Sequence, residues 1–139
     1  MEPVKEDRKF TIFLDIDGCI LPHYDYVVDK SLDILWEDWT KQLDVWVTPQ
    51  IVRDARTKCT EWHIAGYNII LTTGRPEMLR RITEEILLKA RIFYNQLVMN
   101  CGPGPRVLIN DTSDVAKPKA FAISLERNKG LSEVNLDQL

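Results

Sequence analysis

The chain reads as an α/β protein, a doubly wound parallel sheet of about five strands with helices on both faces. Two observations predict this. Short apolar runs alternate with longer one-sided amphipathic stretches, the pattern of right-handed βαβ units. Three of the runs also end in polar or acidic residues: Asp15-Ile16-Asp17-Gly18, Thr72-Thr73-Gly74-Arg75 and Asn110-Asp111. Sheets of this kind bind ligands beyond the carboxyl ends of their strands, so those three places are where chemistry is expected.

Residues 9–16 (KFTIFLDI) form a nearly continuous apolar run, as in a strand covered on both faces. Gly18 and Pro22 then open a loop. Residues 31–47 carry Leu32, Leu35, Trp36, Trp39, Leu43 and Trp46 at helical spacing. That stripe is either a helix packed on the sheet or a lid, and 21–47 is the one segment long enough for a small lid. Thr48-Pro49 reads as an N-cap with proline at the first helical position. The helix it opens turns Ile51, Val52, Ala55, Cys59 and Trp62 inward and ends at Gly66 in a left-handed cap. Residues 67–73 (YNIILTT) are the second strand. Pro76 leads into a helix with Met78, Leu79, Ile82, Ile86 and Leu87 on one face. Further strands are expected at 96–99, 106–110 (RVLIN) and 119–125 (KAFAISL), with the glycine-proline turn 100–105 between the first two. The polar tail, 126–139, is expected to be loosely held.

A length of 139 residues suits one domain over 1–139, with a core at about 9–125. Apolar residues are 45% and charged residues 28% of the chain, an ordinary globular balance. The net charge of -3 comes from interspersed signs, which argues against general nucleic-acid binding. Cys19, Cys59 and Cys101 are far apart, without a CxxC pair, so neither a zinc site nor a disulfide framework is expected. The charged N-terminus does not read as a signal peptide, and no apolar run approaches the ~20 residues needed to cross a bilayer. These features lead us to expect a cytoplasmic protein without membrane association. An exposed Trp36/Trp39 face would favour a homodimer.

Alternation along an extended segment puts Asp15 and Asp17 on one side, with Ile16 turned into the core. Two close carboxylates repel unless a cation joins them or one is protonated. Mg²⁺ resolves the conflict with few protein carboxylates plus substrate oxygen and water, and Asp111 can add a third acidic contact. The plainer alternative is a pair of acids capping turn amides. Thr73 and Gly74, where the second strand feeds the Pro76 helix, form an anion cradle or else an N-cap without ligand. Arg75 beside them is a phosphate or carboxylate contact, or a solvated charge.

The DxDG sequence Asp15-Ile16-Asp17-Gly18 after one strand, Thr73 after another and Asp111 after a third together resemble the haloacid dehalogenase superfamily of phosphohydrolases. The likeness runs from about residue 9 to 125, and 106–111 with 126–128 resembles a small branch lacking a large cap domain. The resemblance implies a Rossmann-like core and an Mg²⁺-dependent phosphatase acting on a small phosphorylated substrate. In it Asp15 is the nucleophile that forms an aspartyl-phosphate, and Asp17 is the general acid and then base. The Asp15 carboxylate, the Asp17 backbone carbonyl and Asp111 hold Mg²⁺. Thr73 and the Gly74 amide bind the transferring phosphoryl, and Asp114 orients a metal-bound water. His23, in the loop after the nucleophile, touches ligand or is a surface histidine; His63 is structural.

Two departures stand out. Cys19 occupies a position where that superfamily often has threonine. No lysine lies between Lys89 and Asp111, where the family carries a cation. Lys117, held extended by Pro118, is the expected substitute, with Lys119 in reserve. The gap leaves open a catalytically weak Mg²⁺/phosphate-binding regulatory domain of the same fold. A receiver domain fits the Asp15-x-Asp17 arrangement poorly.

Overall fold

The computed structural model describes residues 9–22, 49–112, 116 and 118–139. The tryptophan stripe at 31–47, nearly all of the 21–47 lid segment, and His23, Asp114 and Lys117 lie outside the described residues.

The architecture is α/β. Strands β1 (Thr11–Asp15), β2 (Asn68–Thr72) and β3 (Gln96–Val98) form a parallel sheet in the order β1-β2-β3. Helix α1 (Ala55–Ile64) connects the first two strands, and helix α2 (Arg80–Lys89) the second pair. The register aligns Leu14 with Leu71 and Leu71 with Leu97. One leucine per strand therefore faces the same buried layer, where Cys59 and Trp62 of α1 meet Ile82, Ile86 and Leu87 of α2. Arg56 Nε donates to Ala90 O at 2.8 Å, so the two helices lie side by side on one face of the sheet. No helix among the described residues is long and apolar enough to cross a membrane.

Both helices end in the same device. Gly66 sits at φ 81°; its amide donates to His63 O at 3.0 Å and that of Tyr67 to Trp62 O at 3.0 Å, the paired bonds of a Schellman cap. At the end of α2, Arg91 takes the left-handed position at φ 59°. The bonds there run from Arg91 N to Leu88 O and from Ile92 N to Leu87 O, each 3.0 Å. His63 stacks on Phe93 with ring centroids 4.5 Å apart, in keeping with a structural role.

Several expectations are corrected. Three strands are described rather than about five, and the described helices cover one face rather than two, so among the described residues the sheet is not doubly wound. Residues 106–110 and 119–125 are not strands: 103–111 and 118–125 take no part in any described backbone hydrogen bond. Val107 is 82% and Ile109 92% exposed. Apolar content is local, whereas pairing needs a neighbouring edge, and the prolines at 103 and 105 offer no N–H. Helix α1 starts at Ala55 rather than beside Pro49, because the Val52 amide donates to Ile20 O at 2.7 Å and holds the preceding residues as a connector. Met78 is 69% exposed, not on the apolar face of α2.

The tail is also not loose. Leu131, Val134 and Leu136 are buried with the core. Leu131 N donates to Arg53 O at 3.1 Å, and Lys58 Nζ donates to Val134 O at 2.9 Å. Gly130 permits this approach. It sits at φ 108°, and a Cβ there would lie 2.6 Å from Arg53 O. Gly130→Ala should therefore destabilise the fold by about 1–3 kcal/mol or more, the cost of a side chain in a glycine-only conformation. Urea denaturation checks this, and an unchanged midpoint would contradict the tight docking of the tail.

Candidate functional site

The β1–β2 pairing sets Asp15 level with Thr72, and Ile16 N extends it with a 3.1 Å bond to Thr72 O. Beyond this point the chain folds back sharply. Cys19, Ile20 and Leu21 all donate amides to Ile16 O, and Gly18, at φ 93°, donates to Leu21 O at 2.7 Å. Ile16 is fully buried, which leaves Asp15 exposed at the strand end and Asp17 half-buried beside it.

Asp17 is the centre of a polar network. Its Oδ1 accepts from Arg75 Nη2 at 2.8 Å and Nε at 3.2 Å, while its Oδ2 accepts from Arg75 Nε at 3.2 Å and Thr73 Oγ1 at 3.0 Å. Arg75 continues inward, donating from Nη1 to Thr83 Oγ1 at 3.1 Å. Thr73 Oγ1 accepts in turn from Arg75 N at 3.1 Å. Thr73 and Thr83 are fully buried and Arg75 is 6% exposed. Buried charge is tolerable where its donors and acceptors are satisfied in this way.

The segment 73–75 is laced to the loop after β3. Thr73 N donates to Val98 O, Asn100 N to Arg75 O and Cys101 N to Thr73 O, at 2.8–3.0 Å. The fit is close at Gly74, where an added Cβ would sit 2.9 Å from Gly102 O. Among the described residues no acceptor meets the Gly74 amide, and Gly74 is exposed. It can therefore donate to an anion.

Measured against expectation, Asp15, Asp17, Thr73, Gly74 and Arg75 come together at one end of the sheet. The Thr73 hydroxyl spends its proton on Asp17. Arg75 is no solvated charge but the partner of a carboxylate. The helix dipole contributes less than expected: Pro76 is extended, a 3-10 turn follows at Glu77–Leu79, and α2 begins only at Arg80. Asp111 is exposed, stands 3.8 Å from Lys119 Nζ, and is not brought into a triad with Asp15 and Asp17. No three His, Cys, Asp or Glu side chains among the described residues group to hold a metal ion.

Two contributors escaped sequence reasoning. Thr83 is a polar residue on the buried stripe of α2, and that anomaly was its signal. Asn128, whose amide donates to Gly18 O at 2.9 Å, lay in the 126–128 stretch that entered the resemblance, but was given no role there. A separate depression of about 360 Å³ between α1 and the end of α2 is lined by Arg56, Thr60, Leu88, Arg91, Ile92 and Phe93. None of the carboxylates touches it.

Burial first, then the carboxylates of Asp15 and Asp17, push the Cys19 thiol up to about 11. Burial alone pushes Cys59 up to about 12. Thiolate is the reactive form, so at pH 8 iodoacetamide should label the native protein first at Cys101, with Cys19 and Cys59 lagging until denaturant is added. Peptide mass spectrometry reads the order, and early labelling of Cys59 would refute its enclosure. Arg75→Met strips the charge partner from Asp17. The cost expected is about 2–4 kcal/mol, below the full penalty of a broken buried pair because the Asp17 side chain is 24% exposed. Denaturant unfolding measures it, and a loss under ~0.5 kcal/mol, the scale of surface pairs, would show the network to be incidental.

No family model, curated protein or solved structure matches this chain.

Proposed function

We propose that this chain is an Mg²⁺-dependent phosphomonoester hydrolase of the haloacid dehalogenase type, acting on a small phosphorylated metabolite such as a sugar phosphate or nucleotide. One observation carries the reading. The register that sets Asp15 level with Thr72 brings the two strand-end motifs side by side, and Thr73 and Arg75 then grip Asp17.

In this reading a carboxylate oxygen of Asp15 attacks phosphorus, and the ester P–O bond breaks. Protonated Asp17 gives its proton to the departing alkoxide. Water then attacks the acyl phosphate and yields a proton to Asp17, releasing phosphate and restoring Asp15. Arg75 and Thr73 hold the Asp17 carboxyl in place through both steps. The Gly74 amide is positioned to donate to a phosphoryl oxygen.

The donors suit a hard cation, since all are oxygen: the Asp15 carboxylate and the Asp17 main-chain carbonyl, which no described donor reaches. Asp111, which the resemblance would add, stands apart beside Lys119. Bound at Asp15 and Asp17, Mg²⁺ would neutralise charge between carboxylate and phosphoryl group.

The second reading, a weak Mg²⁺/phosphate-binding regulatory domain, is favoured by one feature. Both Asp17 carboxylate oxygens already accept hydrogen bonds within the protein. A phosphate-release screen over a metabolite panel separates the two. Wild type should release phosphate only with Mg²⁺, and Asp15→Asn should lower turnover by ~10³-fold or more, as when a nucleophile is removed. Its unfolding midpoint should hold or rise, because a carboxylate leaves an acidic pair. An Mg²⁺-induced rise in melting temperature without any phosphate release would favour the binding domain.

A further inference from the structure

We infer that the depression between α1 and the end of α2 is a second binding site, one that takes a small aromatic carboxylate. The inference is independent of the phosphohydrolase reading, since Asp15 and Asp17 take no part in the lining.

The apolar side of the depression comes from the chain that leaves α2. Ile92 is buried, while Leu88 is 79% and Phe93 44% exposed. The Phe93 ring is fixed by its stack on His63, with centroids 4.5 Å apart and planes 5° from parallel. One wall is therefore an aromatic surface already held in position. The volume of about 360 Å³ falls in the range of small-molecule sites, roughly 300–1,000 Å³.

The polar side is cationic. Arg56 and Thr60 stand one turn apart on α1, Arg91 follows α2, and among the described residues no Asp or Glu joins them in the lining. Arg56 is oriented through its Nε, which donates to Ala90 O at 2.8 Å. Its Nη groups and the Arg91 guanidinium meet no acceptor among the described residues. The carbonyls that end a helix repel an anion, but at α2 those of Ile86, Leu87, Leu88 and Ala90 already accept from Ala90 N, Ile92 N, Arg91 N and Arg56 Nε. Two guanidiniums with open donors beside a fixed ring suit a carboxylate carried on a flat apolar body.

The test uses the full chain, naphthoate as the probe and titration calorimetry as the measurement. Wild type should bind naphthoate ~10-fold or more tightly than the uncharged naphthylmethanol, the gain of a charge-assisted bond. Arg91→Gln should lose that preference, and Arg91→Lys should keep part of it. Both variants retain a Cβ at a backbone already at φ 59°, so the melting temperature should hold. Leu88→Gln should weaken binding of both probes by ~3-fold or more, through lost apolar contact. Two controls should bind like wild type: Arg81→Gln, at a side chain 93% exposed on α2, and Ile109→Gln, at a residue 92% exposed away from the depression. Equal naphthoate affinity in wild type and Arg91→Gln overturns the assignment. A loss in Arg81→Gln as large as in Arg91→Gln overturns it too, because net charge would then be at work. So does a loss in Ile109→Gln as large as in Leu88→Gln, because any exposed apolar residue would then serve. Absence of binding to the wild type at millimolar naphthoate also overturns it, and each of these outcomes leaves the phosphohydrolase reading standing.

Discussion

A guanidinium with only 5% of its side chain exposed has left most of its water behind, and every N–H it turns inward needs an acceptor. Arg75 finds them on two elements. Asp17 in the loop after β1 takes two of its nitrogens, and Thr83 within α2 takes a third. Arg75 itself lies just past the end of β2. Arg75 therefore ties the loop after β1, 58 residues away in sequence, and α2 to the end of β2 in one small volume. Moving any of them strands a buried charge, a far larger penalty than loss of one surface contact. Gly74 follows from the same constraint. With Thr73 turned to Asp17 and Arg75 turned to Asp17 and Thr83, the backbone between them lies against the Gly102 carbonyl, and no side chain fits there.

This explains what could be read from the amino-acid sequence and what could not. Strands β1 and β2, the body of α2 and the β3 segment were legible because apolar periodicity is a local property. So were Asp17, Thr73 and Arg75 as a group, because strand ends in parallel sheets point to one side. The partners were not legible. Nothing local tells Val52 that its amide belongs to the Ile20 carbonyl, and that bond delays α1 past Pro49. Residues 106–110 show the converse error: their composition suits a strand, yet a strand exists only where another edge accepts it. The tail misled by its average polarity. Leu131, Val134 and Leu136 suffice to anchor it, because Gly130 lets the backbone approach Arg53 where a larger residue could not.

The candidate site divides its polar groups into two sets. Asp17, Thr73, Arg75 and Thr83 satisfy one another and form a stiff inner layer. Asp15 and the Gly74 amide lie on the solvent side. Such a division suits binding of an anion, since the outer groups are held by inner ones that need not rearrange.

The contact between Asn128 and Gly18 also bears on the order in which the protein forms. The sheet and both helices come from residues 11–98 and join neighbours in sequence, so they can assemble while the chain is still growing on the ribosome. The loop that follows β1 is synthesised early but gains its last backbone partner only after residue 128 has emerged, and Leu131 then seats that partner. Closing so long a segment is entropically slow compared with pairing adjacent elements. A nascent chain halted before that point has its scaffold without a finished loop, and completion of the loop waits for residues 128–131 to emerge.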